Sequence, residues 1–294
     1  MSPWKNTPLT FLITGATSGF GLQIARLALA AGHTVIGTSR TPDAHPSLIQ
    51  EFTSTGRGKL LPLDTNASTA ASTLISSLKS QSVEIDVLVS NAGAARLGVA
   101  ETFTEEEVRE QMETNYFGPY RLMREVIPGM RERRKGMIVS VATGAGVDGR
   151  DGMGIYAGSK GAVDALLRVW AKELAPFGIR CLTIHLGAFD TNFTNASVHT
   201  GSVKQPADYD DQMVSKVVGS LKSTTFSPDG DHKKASSIIY EMIVGEGFGE
   251  GKEDERVMFL GRDMWQTMER VAGNTKHAMD TFGDICNNVY TEKS

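Results

Sequence analysis

The chain has 294 residues, 40% of them hydrophobic and 22% charged, with a formal net charge of −4. That is the composition of a globular protein with ample chain to bury a core, without the basic excess that nucleic acid needs or the ~18-residue apolar run of a membrane span. The two cysteines, Cys181 and Cys286, provide neither a disulfide framework nor a Cys-rich zinc site, and MSPWKNTPLT lacks the pattern of a secretory signal. A soluble, cytoplasmic enzyme is expected, and the N-x-S/T triplets at Asn66, Asn192 and Asn195 are read as chance.

Leu9–Thr14 reads as a buried strand. Phe20–Ala31 carries apolar residues at helical spacing and stops at Gly32. Strands follow at His33–Ser39 and Lys59–Leu63, a polar-faced helix at Ser68–Leu78, and a strongly apolar strand at Ile85–Ser90. Thr104 opens a helical region running to about Arg134, with acidic residues in its first turn as the helix dipole favours. Gly136–Val141 is a strand, Tyr156–Leu174 a helix and Arg180–Leu186 a strand. Such alternation specifies an α/β fold, a doubly wound parallel sheet with helices on both faces. With no linker and no repeat, residues 1–294 are expected to form a single domain.

Beyond Gly187 the texture changes. Residues 188–230 are polar, with one amphipathic stretch at Ala207–Leu221. Residues 231–294 read as a helix (Lys233–Val244), a strand (Arg256–Leu260) and a long helix (Asp263–Tyr290). Gly245–Gly251 (GEGFGEG) follows a helix, so it reads as a solvent loop and not as a phosphate cradle.

The first strand runs into Thr14-Gly15-Ala16-Thr17-Ser18-Gly19-Phe20-Gly21 and then a helix. Glycines there allow a tight turn and close approach to a pyrophosphate, and the helix N-terminus adds free N–H groups and a positive dipole end. The spacing is T-G-x-x-x-G-x-G. Asp64 follows the third strand, and Ser90-Asn91-Ala92-Gly93 the fourth. Asn115 lies in Thr-Asn-Tyr-Phe-Gly-Pro, Tyr156 and Lys160 form Y-x-x-x-K, and Leu186-Gly187 precedes Thr191.

Taken in order, these motifs resemble the short-chain dehydrogenase/reductase family over roughly residues 8–260. Arg121–Val141 and Gly154–Phe193 look closest to its hydroxysteroid-dehydrogenase-like branch. The resemblance implies a Rossmann-type fold, with residues 8–187 as dinucleotide-binding and catalytic core and 188–230 as substrate lid. It implies cofactor contacts at Gly15, Thr17, Ser18, Gly19, Phe20, Gly21, Ser39, Arg40, Asp64, Asn91, Ala92, Gly93, Tyr156, Lys160, Gly187 and Thr191. Two departures are visible: Ser90 replaces the first Asn of N-N-A-G, and Leu186 replaces the Pro of P-G-x-x-x-T.

Tyr156 and Lys160 are one helical turn apart and share a face. A free tyrosine titrates near ~10, and a nearby ammonium is expected to lower that value and ready the phenol for proton transfer. By the resemblance Lys160 also holds ribose hydroxyls, and Asn115 supports a proton relay. The family's catalytic serine stands thirteen residues before the tyrosine, where this chain has Thr143. Thr143 keeps the hydroxyl and adds a methyl. Ser140 falls within the strand and is a poorer candidate.

At the end of the second strand an NAD site would place an acid. Here Thr38-Ser39-Arg40 stands there, and a guanidinium suits a 2′-phosphate. NADPH/NADP+ is therefore the expected cofactor, with Arg40 the main reader and Ser39 assisting. Phe189, Phe193, Tyr209, Met213, Val214, Val217 and Phe226 suggest an apolar or aromatic carbonyl substrate, with residues 148–153 rimming the pocket. His185 is read as structural, Asp190 stands where the branch often has Arg, and no metal-ligand spacing occurs. The leading expectation is a carbonyl (keto) reductase working on a small molecule. Its rivals are an NAD-linked alcohol dehydrogenase and a non-redox isomerase, cyclase or nucleotide sensor. The resemblance also implies a homo-oligomer, dimer or tetramer, joined through helices at about 104–134 and 156–174.

Overall fold

The computed structural model describes Trp4, residues 7–191, Phe193, residues 198–223 and residues 228–290. Asn192, Asn195 and Phe226 lie outside the described residues. Its centre is a seven-stranded parallel sheet in the order β3-β2-β1-β4-β6-β7-β9. The strands are β1 (Thr10–Thr14), β2 (Thr34–Ser39), β3 (Gly58–Pro62), β4 (Val87–Ser90), β6 (Gly136–Thr143), β7 (Ile179–Leu186) and β9 (Val257–Leu260). A separate short parallel pair joins β5 (Ala95–Leu97) to β8 (Val198–Thr200).

The strands are apolar throughout because both faces are covered. Successive side chains point to opposite faces, so Phe11 and Ile13 of β1 join one core while Leu12 joins the other. On the first face Val35, Val87, Val139 and Ile184 pack with α1 (Gly19–Ala30) and the helix His232–Val244. On the second, Ile36, Leu88 and Ile138 pack with α3 (Ala70–Ser80), α5 (Gly118–Arg133) and α7 (Gly154–Glu173). The expected doubly wound α/β sheet is thus observed, with its core strands within one or two residues of the sequence reading.

Three features go beyond that reading. A helix, α2 (Pro46–Ser54), connects β2 to β3, with Pro46 in its first turn and Phe52 buried. The helical region opened by Thr104 is not continuous. A capping box between Thr104 and Glu107 starts α4 (Glu105–Met112), a π-helical turn follows at Glu113–Phe117, and α5 completes the run. The Gly-rich segment after Val244 caps a helix: Gly245 adopts φ 72° and its N–H donates to the Glu241 carbonyl.

The order β2-β1-β4 reverses chain direction across the sheet, so a crevice opens where the carboxyl ends of β1 and β4 part. In open parallel sheets that is where ligands sit.

Candidate active site

A cavity of about 560 Å³ occupies this crevice and runs from Arg40 at one end to Tyr156 at the other. Its floor is the glycine turn after β1. Gly15 and Gly19 adopt φ of 66° and 52°, left-handed conformations that glycine takes without steric cost. A Cβ on Gly21 would collide with the Gly15 carbonyl and lie 2.6 Å from Asn91 Nδ2. No side chain caps α1, which leaves its first-turn N–H groups to face the cavity.

Thr14 locks this turn to the neighbouring strand, a role that its sequence position did not disclose. Its hydroxyl accepts from the Asn91 and Ala92 N–H groups, each at 3.0 Å. Asn91 Nδ2 returns the contact by donating to the carbonyls of Thr14 (2.9 Å) and Gly15 (3.2 Å). Thr17, Ser18, Gly19, Phe20, Asn91, Ala92 and Gly93 all line the cavity, as the motif reading expects. A glycine turn with no room for a side chain at Gly21, leading into an uncapped helix N-terminus, fits a dinucleotide pyrophosphate.

At the inner end, β6 and α7 bring Thr143, Tyr156 and Lys160 together. Tyr156 is buried, and the Thr143 hydroxyl hydrogen-bonds its phenol. Lys160 Nζ donates to the Val141 carbonyl at 2.9 Å. Asn115 sits on the π-helical turn, and such turns recur at functional sites. Its Oδ1 accepts from the Ala94 N–H at 3.1 Å, and its Nδ2 donates to the Ala94 carbonyl at 2.9 Å and the Ser159 hydroxyl at 3.0 Å. Ser159 in turn donates to the Tyr156 carbonyl at 2.7 Å. Asn115 therefore ties the loop after β4 to the helix that carries the tyrosine. A Cβ on Gly93 would stand 3.1 Å from Asn115 Oδ1 and 3.3 Å from Lys160 Nζ, so both polar groups pack against Gly93; Lys160 lines the cavity and Asn115 is buried behind it.

One expectation changes here. Lys160 was expected to lower the Tyr156 phenol. Instead burial pushes the phenol up to about 12, against the Thr143 hydrogen bond and the Arg150 charge, which pull it down. Lys160 engages a carbonyl, and burial brings its own ammonium down to about 8.

Arg150 is the cation on the substrate side, and it is held by the C-terminal helix (Arg262–Asn287). Its Nη2 donates to Thr267 Oγ1 at 3.3 Å and pairs with Asp263 at 3.8 Å, while its Nε lies 3.9 Å from Asp148. Asp148 also pairs with Arg270 of the same helix. Asp263 makes a second contribution: its carboxylate accepts from the Ala188 N–H at 3.0 Å and fills the space where a Gly187 side chain would be. The glycine at 187 is required by this carboxylate, a reason that local sequence does not show. His185 lies near the carboxyl end of β7, beside Thr143. It is buried, with Nδ1 3.2 Å from the Thr143 carbonyl and Nε2 3.5 Å from Asp164.

At the outer end Ser39, Arg40 and Asp64 line the cavity. Arg40 is exposed and has no carboxylate partner among the described residues. Ser39 Oγ accepts from the Thr41 N–H at 3.3 Å, and Asp64 Oδ1 from the Asn66 N–H at 3.0 Å.

Of the residues expected at the substrate end, Phe189 and Phe193 reach the cavity, and Tyr209, Met213 and Val217 do not line it. Phe189, Thr191, Phe193 and Leu221 line the cavity together with Leu97 and Met153, and Phe193 stands 6.4 Å from the Tyr156 ring. In the lid helix (Met213–Lys222) Val218 and Leu221 pack near Tyr156 and Met153. Met213 is exposed, and Tyr209, Met213 and Val214 line a separate groove beside Glu101 and Gly152. The inward face is set by Val214, which lies against Gly152, together with Val218 and Leu221, one step around the helix from 213, 214 and 217. Backbone pairing of β5 with β8 and a 2.7 Å hydrogen bond from Ser202 N–H to Glu107 fasten residues 198–202 to the body of the protein. No group of three or more metal-ligating side chains occurs among the described residues, and no described helix is long and apolar enough to cross a membrane.

The chain can now be set beside known proteins. A 3-ketodihydrosphingosine reductase of Bacteroides thetaiotaomicron is 37% identical over 68% of this chain and 72% of its own. The crystal structure of a short-chain dehydrogenase from Streptomyces avermitilis superposes with a TM-score of 0.86 at 29% identity, covering 97% of this chain and 99% of that one. A short-chain dehydrogenase from Sphingobium yanoikuyae, solved in complex with NADPH, shares the fold with a TM-score of 0.72 at 20% identity, over 97% and 98% of the two chains. None of the three is described as a hydroxysteroid dehydrogenase, so that branch gains no particular support. The family model for short chain dehydrogenases matches residues 9–201, and the chain belongs to that family of oxidoreductases.

Proposed function

We propose that this protein is an NADPH-dependent carbonyl (keto) reductase acting on an apolar or aromatic ketone or aldehyde. The observation that carries this reading is the meeting of a protonated phenol with a second hydroxyl at the inner end of a glycine-floored crevice. When bound, the nicotinamide supplies the hydride. Tyr156 holds the proton that a reduced carbonyl oxygen must receive, because burial keeps the phenol neutral at physiological pH. Thr143 steadies the same oxygen through its hydroxyl. Lys160 lines the cavity beside Gly93, where it can hold ribose hydroxyls, and Asn115, packed behind Gly93, can support return of a proton to the tyrosine. Leu97, Met153, Phe189, Phe193 and Leu221 offer an apolar wall to the rest of the substrate. Residues 1–294 act as one domain in this reading, with 8–187 as core and 188–230 as lid. The ketoreductase name of the Bacteroides relative agrees with it.

Arg40 favours NADPH over NADH, since its uncommitted guanidinium can grip a 2′-phosphate that a carboxylate would repel. Losing a charge-assisted hydrogen bond costs about 2 kcal/mol, so Arg40→Ala should lower the NADPH to NADH preference on the order of 30-fold. Initial rates with each cofactor across a carbonyl panel, read at the nicotinamide absorbance band, test both the reading and the residue. An unchanged preference would remove Arg40 from the site. Binding of NADPH without consumption across the panel would favour a non-redox role.

Thr143→Ala should reduce kcat on the order of 100-fold, the scale of losing one preorganised donor to the reacting oxygen. Thr143→Ser should retain most of it. Near-normal turnover in the alanine variant would mean that another group steadies the oxygen.

A further inference from the structure

The C-terminal helix spans Arg262–Asn287, and its root, from Asp263 to Arg270, makes its polar contacts with the other described residues. Met264 and Thr267 are buried, whereas nearly every described side chain from Ala272 to Tyr290 is exposed. A helix that contributed only to this chain's own core would end near its last buried turn. This one continues for about five further turns at 3.6 residues per turn.

The continuation is patterned. At 100° per residue Met264, Met268, Val271, Thr275, Ala278, Phe282 and Ile285 fall on one stripe, spaced alternately three and four residues apart, and Val289 follows just past the helix end. Trp265, Ala272, Met279 and Cys286 widen its flank. The charged side chains of the helix after Asp263 (Glu269, Arg270, Lys276, Asp280 and Asp284) lie on the opposite side. The buried Met264 begins the stripe, Met268 and Val271 are half-buried, and beyond them the apolar side chains are uncovered: on the stripe and its flank Met279 is 69% exposed, Phe282 54% and Ile285 61%, with Trp265 at 69% and Val289 at 73%.

Charge and area decide what covers it. A helix that lies in a membrane surface carries Lys and Arg along the rim of its apolar face. Here the polar side holds three acids and two bases, with Lys276 already paired to Asp280 at 2.9 Å. An anionic lipid surface gains little from it. A second copy of the same face meets no charge at all, as an isologous contact requires. With Tyr290 included, the exposed large side chains present on the order of 900 Å² per chain, about what each partner gives to a standard interface. Monomers seldom leave a patch of that size in water.

We infer that this helix is a dimerisation arm, and that its apolar face packs against the same face of a second copy in antiparallel orientation. Antiparallel pairing lays the tip at Phe282–Val289 over the partner's stem at Met268–Thr275. Every stripe residue is then covered, and the two bodies stand at opposite ends of the pair. The surface is distinct from the helices at 104–134 and 156–174 through which the family resemblance implies assembly.

Two measurements test this. Sedimentation of the full-length protein should give a dimer or tetramer, and Phe282→Glu should halve that mass with an unchanged melting temperature, since Phe282 contacts little in its own chain. Met279→Lys should act alike if the first variant folds poorly. Ala278, near the middle of the free segment, should face its own counterpart. Ala278→Cys in a Cys286→Ser background should therefore form a disulfide-linked dimer under mild oxidation, while Val271→Cys in that background should not. A monomeric wild type, or an assembly indifferent to both charged substitutions, would overturn the inference. So would binding of the wild type, but not of Phe282→Glu, to anionic phosphatidylserine vesicles, which would assign the face to a membrane.

Discussion

Replacing Tyr156 with Phe is expected to lower kcat for carbonyl reduction by 10²- to 10⁴-fold, the range that a positioned general acid supplies, while cofactor binding is retained. The variant removes one oxygen and little else. Tyr156 is buried between β6 and the lid, and its ring keeps its place beside Phe193 in the phenylalanine form. Fluorescence titration with NADPH should therefore match the wild type even as turnover collapses. If both were lost together, Tyr156 would be supporting the fold and not the chemistry.

The same residue sets a pH dependence. Burial pushes its phenol up to about 12, so it is protonated throughout the neutral range and suited to donate. The oxidative direction needs the phenolate and should accelerate as pH rises. Lys160, brought down to about 8 by burial, loses its charge earlier. Reductive kcat/KM is expected to fall above about pH 8 for that reason. Folding stability follows the two groups in opposite senses. Between about 8 and 10.5 the unfolded chain holds the Lys160 proton and the folded chain does not, so stability rises with pH there. Between 10.0 and about 12 the folded chain retains the Tyr156 proton that the unfolded chain has lost, so stability falls.

How far the site could be read in advance depended on how local its causes are. The glycine turn is legible because strand, turn and helix are contiguous, and Tyr156 and Lys160 because one helical turn separates them. Thr14 is quoted by the motif, but its function is a clasp to Asn91, 77 positions away. The same holds for Gly187 and Arg150, whose partners in the C-terminal helix lie 75 or more positions downstream. The π-helical turn under Asn115 leaves no periodic signature, because it adds one residue to an otherwise helical pattern. By contrast, α2 was missed although its causes are local: Pro46 at its start and Leu48, Ile49 and Phe52 at helical spacing carry the signal. In the lid helix the periodicity was readable and the phase was not. Val214 belongs to both candidate faces, and only the position of Gly152 and Tyr156 selects Val218 and Leu221 as its companions.

Gly21→Ala should be strongly damaging, and at the cofactor end of the site. A Cβ at this position meets the Gly15 carbonyl and Asn91 Nδ2, and neither can yield cheaply. The carbonyl is backbone in a left-handed turn, and the amide is already donating to Thr14 and Gly15. Relief requires α1 to move away from the turn, which displaces the N–H groups that face the cavity. Overpacking of this kind costs about 1–3 kcal/mol in stability. A displacement approaching 1 Å at the phosphate site should raise the NADPH Kd on the order of 100-fold. Gly19→Ala makes the control. Its Cβ meets nothing closer than Thr191 Cβ at 3.6 Å, so its cost is that of a non-glycine residue at φ 52°, about 1–2 kcal/mol. Thermal melts should show both variants destabilised, with the large loss of NADPH affinity confined to position 21. Equal cofactor affinity in the two variants would mean that the turn bears the pyrophosphate through its conformation alone, and that the tight contact between Gly21 and Gly15 serves only packing.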